Sequence, residues 1–242
     1  MENRTLLVTG ASSDMGMELI RNTQQNYQTV VAHFGHLSPS LSQFKEALGE
    51  KLVLLQADFS KIAEVEKLIT AINELGVLPT HIVHFPFPVC TNNKFHKIPW
   101  KDFEEAWQIS FHSIVRIAQE FLPKMSKQRE GKIVFILSFV VNHMPPKYCA
   151  HYVSLKYALL GLMKSLATEY AAKGITVNGV SPAWVQTKYI LNQPDFIVEK
   201  NAAENPTGKN LTVEDVVPTI AYLLSAAANG INGQNLSITN GM

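Results

Sequence analysis

Cysteine is scarce in this sequence, and long apolar runs are absent. Its 242 residues include only Cys90 and Cys149, too few for a disulfide framework and without the spacing of a metal site. A reducing, cytosolic compartment is therefore the default expectation. The longest strongly apolar run, 133–141, falls well short of the ~20 residues that a membrane span needs. A strand-like run follows the N-terminus too closely for a signal peptide. These absences predict a soluble, cytoplasmic protein with no membrane partner.

An excess of charge of one sign is also lacking. The 21 basic residues balance the 20 acidic ones to a formal net charge of +1, and no basic block stands out. We therefore expect no nucleic-acid partner and no strong electrostatic steering. The histidines show no convincing metal-ligand spacing, so we expect no metal site. Hydrophobic residues make up 46% of the chain, enough for a substantial core.

Short β-rich runs alternate along the chain with longer helix-like segments. The strand candidates are residues 5–9, 29–33, 52–56, 81–85, 132–138, 175–180 and 235–239. The helix candidates are residues 15–25, 41–48, 61–75, 101–127, 152–173 and 213–228. Several strand runs are apolar without polar alternation, which is typical of strands covered on both faces. The pattern predicts an α/β fold: a Rossmann-type, doubly wound parallel sheet of about seven strands with helices on both faces.

No linker-like composition divides the chain, so we expect a single domain over residues 1–242. The stretch 188–211 is polar and poor in pattern, and it is interpreted as a substrate loop or lid. Thr212 and Asp215 have the spacing of a capping box for the last helix. In an open parallel sheet, ligands bind at the carboxyl ends of the strands.

A glycine turn, TGASSDMGM at 9–17, follows the first strand candidate directly. Such a turn lets backbone N–H groups approach a phosphate at the start of a helix. Gly10 and Gly16 supply the tight backbone, and Ser12 and Ser13 offer hydroxyl donors. The alternative is a plain turn between strand and helix. Its place in a βαβ series favours nucleotide binding.

Tyr152 and Lys156 stand four residues apart at the start of a helix candidate, so their side chains share a face. A lysine ammonium beside a phenol lowers the pKa of the phenol from its usual ~10 and makes it a better proton donor near neutral pH. The alternative is an ordinary helix-surface pair. Ser138 ends a strand candidate fourteen residues earlier, at the edge where ligands bind. The alternative is that the Ser138 hydroxyl only forms hydrogen bonds with nearby backbone groups.

Together these segments resemble the short-chain dehydrogenase/reductase superfamily over nearly the whole chain. The matching segments, in the family's order and spacing, are 9–17, ADFS at 57–60, LSFV at 137–140, YVSLK at 152–156, 174–187 and 230–242. The last two look most like the branch that contains 3-oxoacyl carrier-protein reductases. The resemblance implies an NAD(P)-dependent oxidoreductase that transfers a hydride between a nicotinamide cofactor and a small-molecule carbonyl or alcohol. It also implies a homo-oligomer, either a dimer or a tetramer.

The resemblance assigns three catalytic residues. Ser138 would hydrogen-bond the substrate carbonyl, Tyr152 would act as general acid/base, and Lys156 would hold the nicotinamide ribose and tune Tyr152. The residue seven before Lys156 is Cys149 rather than tyrosine, which disfavours the enoyl-reductase variant. The implied cofactor-binding residues are Gly10, Ser12, Ser13, Met15, Gly16, Phe34, Asp58, Phe85, Pro86, Tyr152, Lys156, Val185 and Thr187.

The sequence departs from the family pattern at several places. Asp14 replaces the middle glycine of the turn, where its carboxylate would repel a pyrophosphate unless it points away or caps the following helix. The segment HFPF at 84–87 replaces an N-N-A-G-like segment. Ser110 falls where the family has an asparagine in a proton relay. These departures motivate a second hypothesis, a catalytically impaired relative that kept the fold as a nucleotide-binding or scaffolding protein.

Cofactor choice depends on the end of the second strand, where NAD-selective relatives often carry an acidic residue. Phe34 is nearest to that place, and no carboxylate follows it before the next helix. NADP is therefore favoured over NAD, with His33, His36 and Ser38 as candidate contacts to its 2′-phosphate. In the resemblance, Asp58 matches an aspartate that binds adenine. The alternative is that Asp58 caps the next helix.

Overall fold

Seven strands form one parallel sheet in the computed structural model, which describes residues 4–89, 92–188 and 195–242. The strands are β1 Thr5–Thr9, β2 Thr29–Phe34, β3 Leu52–Gln56, β4 Pro79–His84, β5 Gly131–Ile136, β6 Ile175–Pro182 and β7 Asn235–Ile238. Their order in the sheet is β3-β2-β1-β4-β5-β6-β7, and every neighbouring pair is parallel. The predicted doubly wound fold is confirmed. The chain order reverses between β1 and β4, which is where such sheets bind ligands.

Helices cover both faces of this sheet. They are α1 Asp14–Thr23, α2 Pro39–Leu48, α3 Ile62–Glu74, α4 Trp100–Ala106, α5 Ser113–Gln128, α6 Ala150–Tyr170, α7 Asp195–Glu204 and α8 Val213–Leu224. α1, α2 and α8 pack in one apolar cluster, and α3, α5 and α6 pack in the other. Within the described ranges, no helix is both long enough and apolar enough to cross a membrane.

Burial on both faces explains why the strand runs lack polar alternation. In β1, Leu6 and Val8 join one apolar cluster and Leu7 joins the other, and all three are fully buried. Every residue of β4 and β5 is buried as well. A strand sandwiched between two helix layers therefore has no solvent-facing side to mark with polar residues.

The fourth predicted helix is confirmed as a continuous helical stretch, but it is not uniformly α-helical. Residues 101–127 are divided into α4, a π-helical turn at Trp107–His112, and α5. Ser110 lies in that turn and is fully buried. The backbone carbonyl of Ser110 accepts a hydrogen bond from the Nε2 of His84, at 2.9 Å. Single π turns inside helices are frequent at functional sites, and this one packs against the end of β4.

The stretch 188–211 contains a helix that the sequence analysis missed, α7. None of its residues is buried, so its apolar positions form no stripe that could have predicted it. Residues 189–194 lie outside the described ranges. The end of the stretch is anchored by Leu211, which is buried and whose N–H donates to the carbonyl of Trp184 at 2.9 Å. The predicted capping box of Thr212 and Asp215 is confirmed at the start of α8.

Candidate active site

The glycine turn folds tightly at the carboxyl end of β1. Gly10 has φ +72°, and a Cβ added there would lie 3.2 Å from the Cβ of Phe85. A Cβ on Gly16 would lie 2.7 Å from the carbonyl oxygen of Gly10. Ser13 caps α1: its hydroxyl donates to the carbonyl of Gly10 at 2.8 Å and accepts from the N–H of Gly16 at 3.1 Å. The turn needs both glycines, and the Ser13 hydroxyl already has two partners within it.

Asp14 does not cap α1, which was one of its two expected arrangements. It is the first residue of the helix, after the cap Ser13. Its carboxylate accepts a hydrogen bond from the N–H of Lys188 at 2.7 Å, and the Nζ of Lys188 lies 3.6 Å away. A carboxylate in the first turn of a helix is also favoured by the helix dipole. Asp14 therefore ties the glycine turn to the segment that follows β6.

His33 holds the glycine turn from β2. Its Nδ1 accepts from the N–H of Gly10 at 3.2 Å, and its Nε2 lies 3.0 Å from the carbonyl of Ala57. The ring stacks on Phe59 with centroids 3.8 Å apart. Burial lowers the pKa of His33 from 6.5 to about 4, so the ring is neutral and its tautomer is fixed by these partners. The expectation that His33 contacts a 2′-phosphate is wrong, because the ring is 3% exposed and both nitrogens are engaged.

The end of β4 is tied to the same turn. The N–H of Phe85 donates to the carbonyl of Thr9 at 3.2 Å. Pro86 has no N–H to give, so cofactor contacts from this pair would use carbonyl oxygens. His84 is buried between the Thr9 hydroxyl, 2.8 Å from its Nδ1, and the Ser110 carbonyl. Burial lowers the pKa of His84 to about 3, and the neutral ring joins β1, β4 and the π turn.

The first two turns of α6 carry Tyr152 and Lys156 on one face. Lys156 is 5% exposed, and its Nζ donates to the carbonyl of Ile136 at 2.8 Å. Ile136 is the last residue of β5, and Ser138 follows two residues later. Ser138 is buried and begins a short 3₁₀ turn, with its hydroxyl 3.5 Å from the N–H of Val140. The structure thus brings the predicted lysine to the strand end that carries the predicted serine.

Phe87 contacts both members of the tyrosine–lysine pair, and the sequence analysis missed it. Its ring centroid lies 4.9 Å from that of Tyr152 at an interplanar angle of 68°. The Nζ of Lys156 lies 4.7 Å from the Phe87 centroid and 5.7 Å from the Tyr152 centroid. Both distances fall within the ~6 Å range of a cation–π contact. A signal was available, because Phe87 is the last residue of HFPF, where the family pattern has glycine.

Asp58 makes the contacts of a local turn. Its carboxylate accepts from the N–H and the hydroxyl of Ser60, and it pairs with the Nζ of Lys61 at 3.1 Å. The Ser60 hydrogen bond, followed by Lys61, lowers the pKa of Asp58. These contacts form a turn before α3 and not a cap, because α3 begins after Lys61 without a side-chain cap hydrogen bond, and an adenine contact stays a prediction.

The remaining predicted cofactor residues line the carboxyl ends of β1, β2 and β6. Phe34 is buried at the end of β2, and Ser12 and Met15 are half-buried in the glycine turn. Val185 is buried in a bridge with Leu211, and the half-buried Thr187 precedes Lys188. Within the described part of the chain, no group of three or more metal-ligating side chains comes together.

Comparison with known proteins gives a family match and full-length relatives. The family model described as "Enoyl-(Acyl carrier protein) reductase" matches residues 12–242. The 3-oxoacyl-(acyl-carrier-protein) reductase FabG of Escherichia coli (strain K12) is 28% identical over 244 residues, which is 100% of this chain and 98% of that protein. The protein of the same name from Staphylococcus epidermidis (strain ATCC 12228 / FDA PCI 1200) is 25% identical over 99% of each chain.

Two solved structures show the same fold. A putative NAD(P)-dependent gluconate 5-dehydrogenase from Beutenbergia cavernae, with bound NADP, has a TM-score of 0.88 and 22% identity. The match covers 98% of this chain and 95% of that one. A 4-hydroxyisoleucine dehydrogenase complexed with NADH has a TM-score of 0.87 and 22% identity, over 99% and 98% of the two chains.

The buried histidine behind the turn predicts an acid-sensitive fold. Folded His33 has a pKa of about 4 against 6.5 when unfolded, so its stabilising contribution is complete above pH 6.5 and is lost as pH falls towards 4. His33→Phe keeps the stacking on Phe59 but cannot take up the proton. Between pH 4 and 6.5 the free energy of unfolding of the wild type should rise with pH. We expect this slope to be smaller in His33→Phe by up to ~1.4 kcal/mol per pH unit. Urea unfolding at several pH values measures both slopes.

The same variant should be less stable at pH 7.5 by ~1–3 kcal/mol, because the N–H of Gly10 loses its acceptor. His36→Ala removes an exposed histidine nearby and serves as the control for the loss of a histidine side chain. Equal slopes in wild type and His33→Phe would show that protonation of His33 is not linked to unfolding, which would contradict the prediction.

Proposed function

The chain belongs to the short-chain dehydrogenase/reductase family and is an NAD(P)-dependent oxidoreductase, and on that premise we propose that it interconverts a small-molecule carbonyl and its alcohol with NADP(H). One observation carries the proposal. Lys156 is buried against the carbonyl of Ile136, with Tyr152 on the same face of α6 and Ser138 at the adjoining strand end. A structural role alone does not explain a buried ammonium beside a phenol at a sheet's ligand-binding edge.

The residues at the edge fit a dinucleotide. Gly10 and Gly16 leave no side chain between the start of α1 and the ends of β1 and β4, and the N-terminus of α1 carries partial positive charge for a pyrophosphate. When bound, the nicotinamide supplies or accepts the hydride. Val185 and Thr187, at the end of β6, would hold the nicotinamide end.

Side chains of this protein would position the substrate and transfer the proton. Ser138 would donate a hydrogen bond to the substrate carbonyl oxygen and fix its position. In reduction, Tyr152 would give its phenolic proton to that oxygen while the carbon gains the hydride, which leaves an alcohol and a phenolate. The Lys156 ammonium would stabilise that phenolate and bond the nicotinamide ribose. In oxidation the same groups would act in reverse.

A carbonyl substrate is favoured over an enoyl one, although the description of the matching family model names enoyl reductases. The residue seven before Lys156 is Cys149, which is buried and whose thiol donates to the carbonyl of Pro146 at 3.1 Å. Burial raises the pKa of this thiol, which makes it a weaker acid than an exposed thiol. Both relatives described above are named as 3-oxoacyl reductases, which act on a carbonyl.

NADP is the proposed cofactor because residues 34–38 offer no carboxylate to repel a 2′-phosphate. The exposed His36 and the α2 cap Ser38 are the nearest polar groups. The flanking cations are engaged elsewhere: Arg21 pairs with Glu18, and Lys45 donates to two backbone carbonyls. We therefore expect NADP to be preferred because no carboxylate repels its 2′-phosphate, and not because a cation binds that phosphate.

Three further parts of the proposal concern the surroundings of the site. Residues 188–211 would cover the substrate as a loop or lid within a single domain spanning 1–242. A homo-oligomer would form across α4, α5 and α6, where Trp100 is 71% and Trp107 is 50% exposed beside a groove of about 1090 Å³. The protein would act in the cytoplasm on a small molecule, without a nucleic acid or membrane partner.

The proton-transfer role is tested with Tyr152→Phe. We expect kcat with a carbonyl substrate, such as an acetoacetyl thioester or a member of a ketone and aldehyde panel, to fall roughly a hundredfold or more. NADPH binding should be nearly unchanged, because the ring remains. Tyr157→Phe removes the same hydroxyl from an exposed site on α6 and should keep full activity. Equal turnover by wild type and Tyr152→Phe would exclude the mechanism.

Cofactor choice is tested by titrating the protein with NADPH and NADH. Gly35 follows β2, and a Cβ added there comes no nearer than 4.0 Å, to the carbonyl of Ala57. Gly35→Asp should weaken NADPH binding about tenfold or more by placing a carboxylate near the 2′-phosphate, while NADH binding is spared. Gly35→Ser, of similar size and uncharged, is the control. Tighter binding of NADH by wild type would overturn the NADP assignment.

The relay position is tested with Ser110→Asn and Ser110→Ala. The Ser110 hydroxyl is buried and has no hydrogen-bond partner among the described residues, so Ser110→Ala should leave kcat unchanged. Ser110→Asn restores the amide of the family pattern and should raise kcat severalfold if a missing relay limits turnover. An unchanged kcat in a Ser110→Asn variant with the wild-type melting temperature would show that another group or a water already relays the proton.

A further inference from the structure

The segment that follows β4 places an aromatic ring on the proposed catalytic pair. Phe87 is half-buried and lies beside Tyr152 edge to face. The Nζ of Lys156 lies 4.7 Å from the centre of the same ring. In the family pattern this position is glycine, which has no side chain to place there.

The Phe87 ring and the cofactor would both contact the ammonium of Lys156. In the proposed function, which this inference builds on, the Lys156 ammonium bonds the hydroxyls of the nicotinamide ribose. The ammonium carries three donor directions, and one is directed at the carbonyl of Ile136. The face of Phe87 covers another side of it. A ribose hydroxyl that bonds the ammonium from the side of Phe87 would have to displace the ring.

We propose that Phe87 is an internal cap on the Lys156–Tyr152 pair, which the nicotinamide ribose displaces when the cofactor binds. The contact stabilises the ammonium in the cofactor-free protein. The measured affinity for cofactor is then the intrinsic affinity reduced by the fraction of molecules in which the ring is closed. Phe87 thereby sets how tightly the nucleotide is held.

Two prolines determine how the cap opens. Pro86 and Pro88 flank Phe87, and a proline restricts both its own φ and the conformation of the residue before it. The backbone of this segment is therefore stiff, and displacement has to come from rotation of the Phe87 side chain. The ring is only half-buried, so it has an open side towards which to turn.

The competing interpretation is that Phe87 is a platform on which the nicotinamide ring packs. A platform presents its face to the ligand, whereas this ring presents its face to the ammonium that the ligand must reach. The two interpretations predict opposite effects of removing the ring. Without a cap the cofactor binds more tightly, and without a platform it binds more weakly.

The experiment compares NADPH and NADH dissociation constants, by calorimetry, for wild type, Phe87→Ala and Phe87→Leu, with melting temperatures to check folding. We expect Phe87→Ala to tighten binding about two- to thirtyfold, which is the range of a cation–π contact. Phe87→Leu keeps apolar bulk without the aromatic face and should tighten binding less. Phe44→Ala removes another cation–π contact, with Arg21 at 5.1 Å, and should leave the affinity at the wild-type value.

Unchanged or weaker binding by a folded Phe87→Ala, while wild type binds and reduces a carbonyl, would overturn the cap and leave the proposed function intact. If neither wild type nor Phe87→Ala bound either nucleotide, the proposed function and the cap would both fail. A general loss of structure cannot imitate the expected result, because a disordered site binds more weakly and not more tightly.

Discussion

The buried ammonium of Lys156 is the constraint around which the site is arranged. Burying a charge is costly unless hydrogen bonds or other charges compensate for it. Here the carbonyl of Ile136 and the aromatic faces of Phe87 and Tyr152 surround the Nζ. Because the carbonyl belongs to the last residue of β5, the same bond fixes the start of α6 over the carboxyl end of the sheet. Tyr152 is positioned by that bond, one turn before the lysine.

Two neutral histidines connect the elements on the other side of the crevice. His33 links the glycine turn at Gly10 to Ala57 beyond β3, and His84 links β4 to the π turn at Ser110. Both are buried, and burial lowers the pKa of each well below its ordinary value. A neutral imidazole with one donor and one acceptor can join two backbone groups across a sheet. The ends of β1, β2 and β4 are thus held by polar contacts as well as by the apolar layers.

Sequence patterns predicted the features that depend on neighbouring residues or on a regular period. All seven strands were placed, and the i, i+4 relation of Tyr152 and Lys156 was enough to put both on one helix face. The pattern could not predict contacts between distant residues. Helix capping was one expected role of Asp14, but its partner is Lys188, 174 residues away. The π turn depends on a hydrogen bond from β4, and α7 has no buried stripe that a pattern could detect.

The departures from the family pattern share one physical character. Asp14, His84 and Phe87 each introduce a larger or charged group where the family has a glycine or a small amide, and each has a partner inside the protein. Asp14 bonds Lys188, His84 bonds Ser110, and Phe87 covers Lys156. Two of these contacts, those of Asp14 and Phe87, bring together groups that flank the proposed nucleotide crevice. A nucleotide that displaces Phe87 would replace a protein contact as well as water. In the proposed cap, the contact of Phe87 with Lys156 opposes cofactor binding without altering the proton-transfer groups.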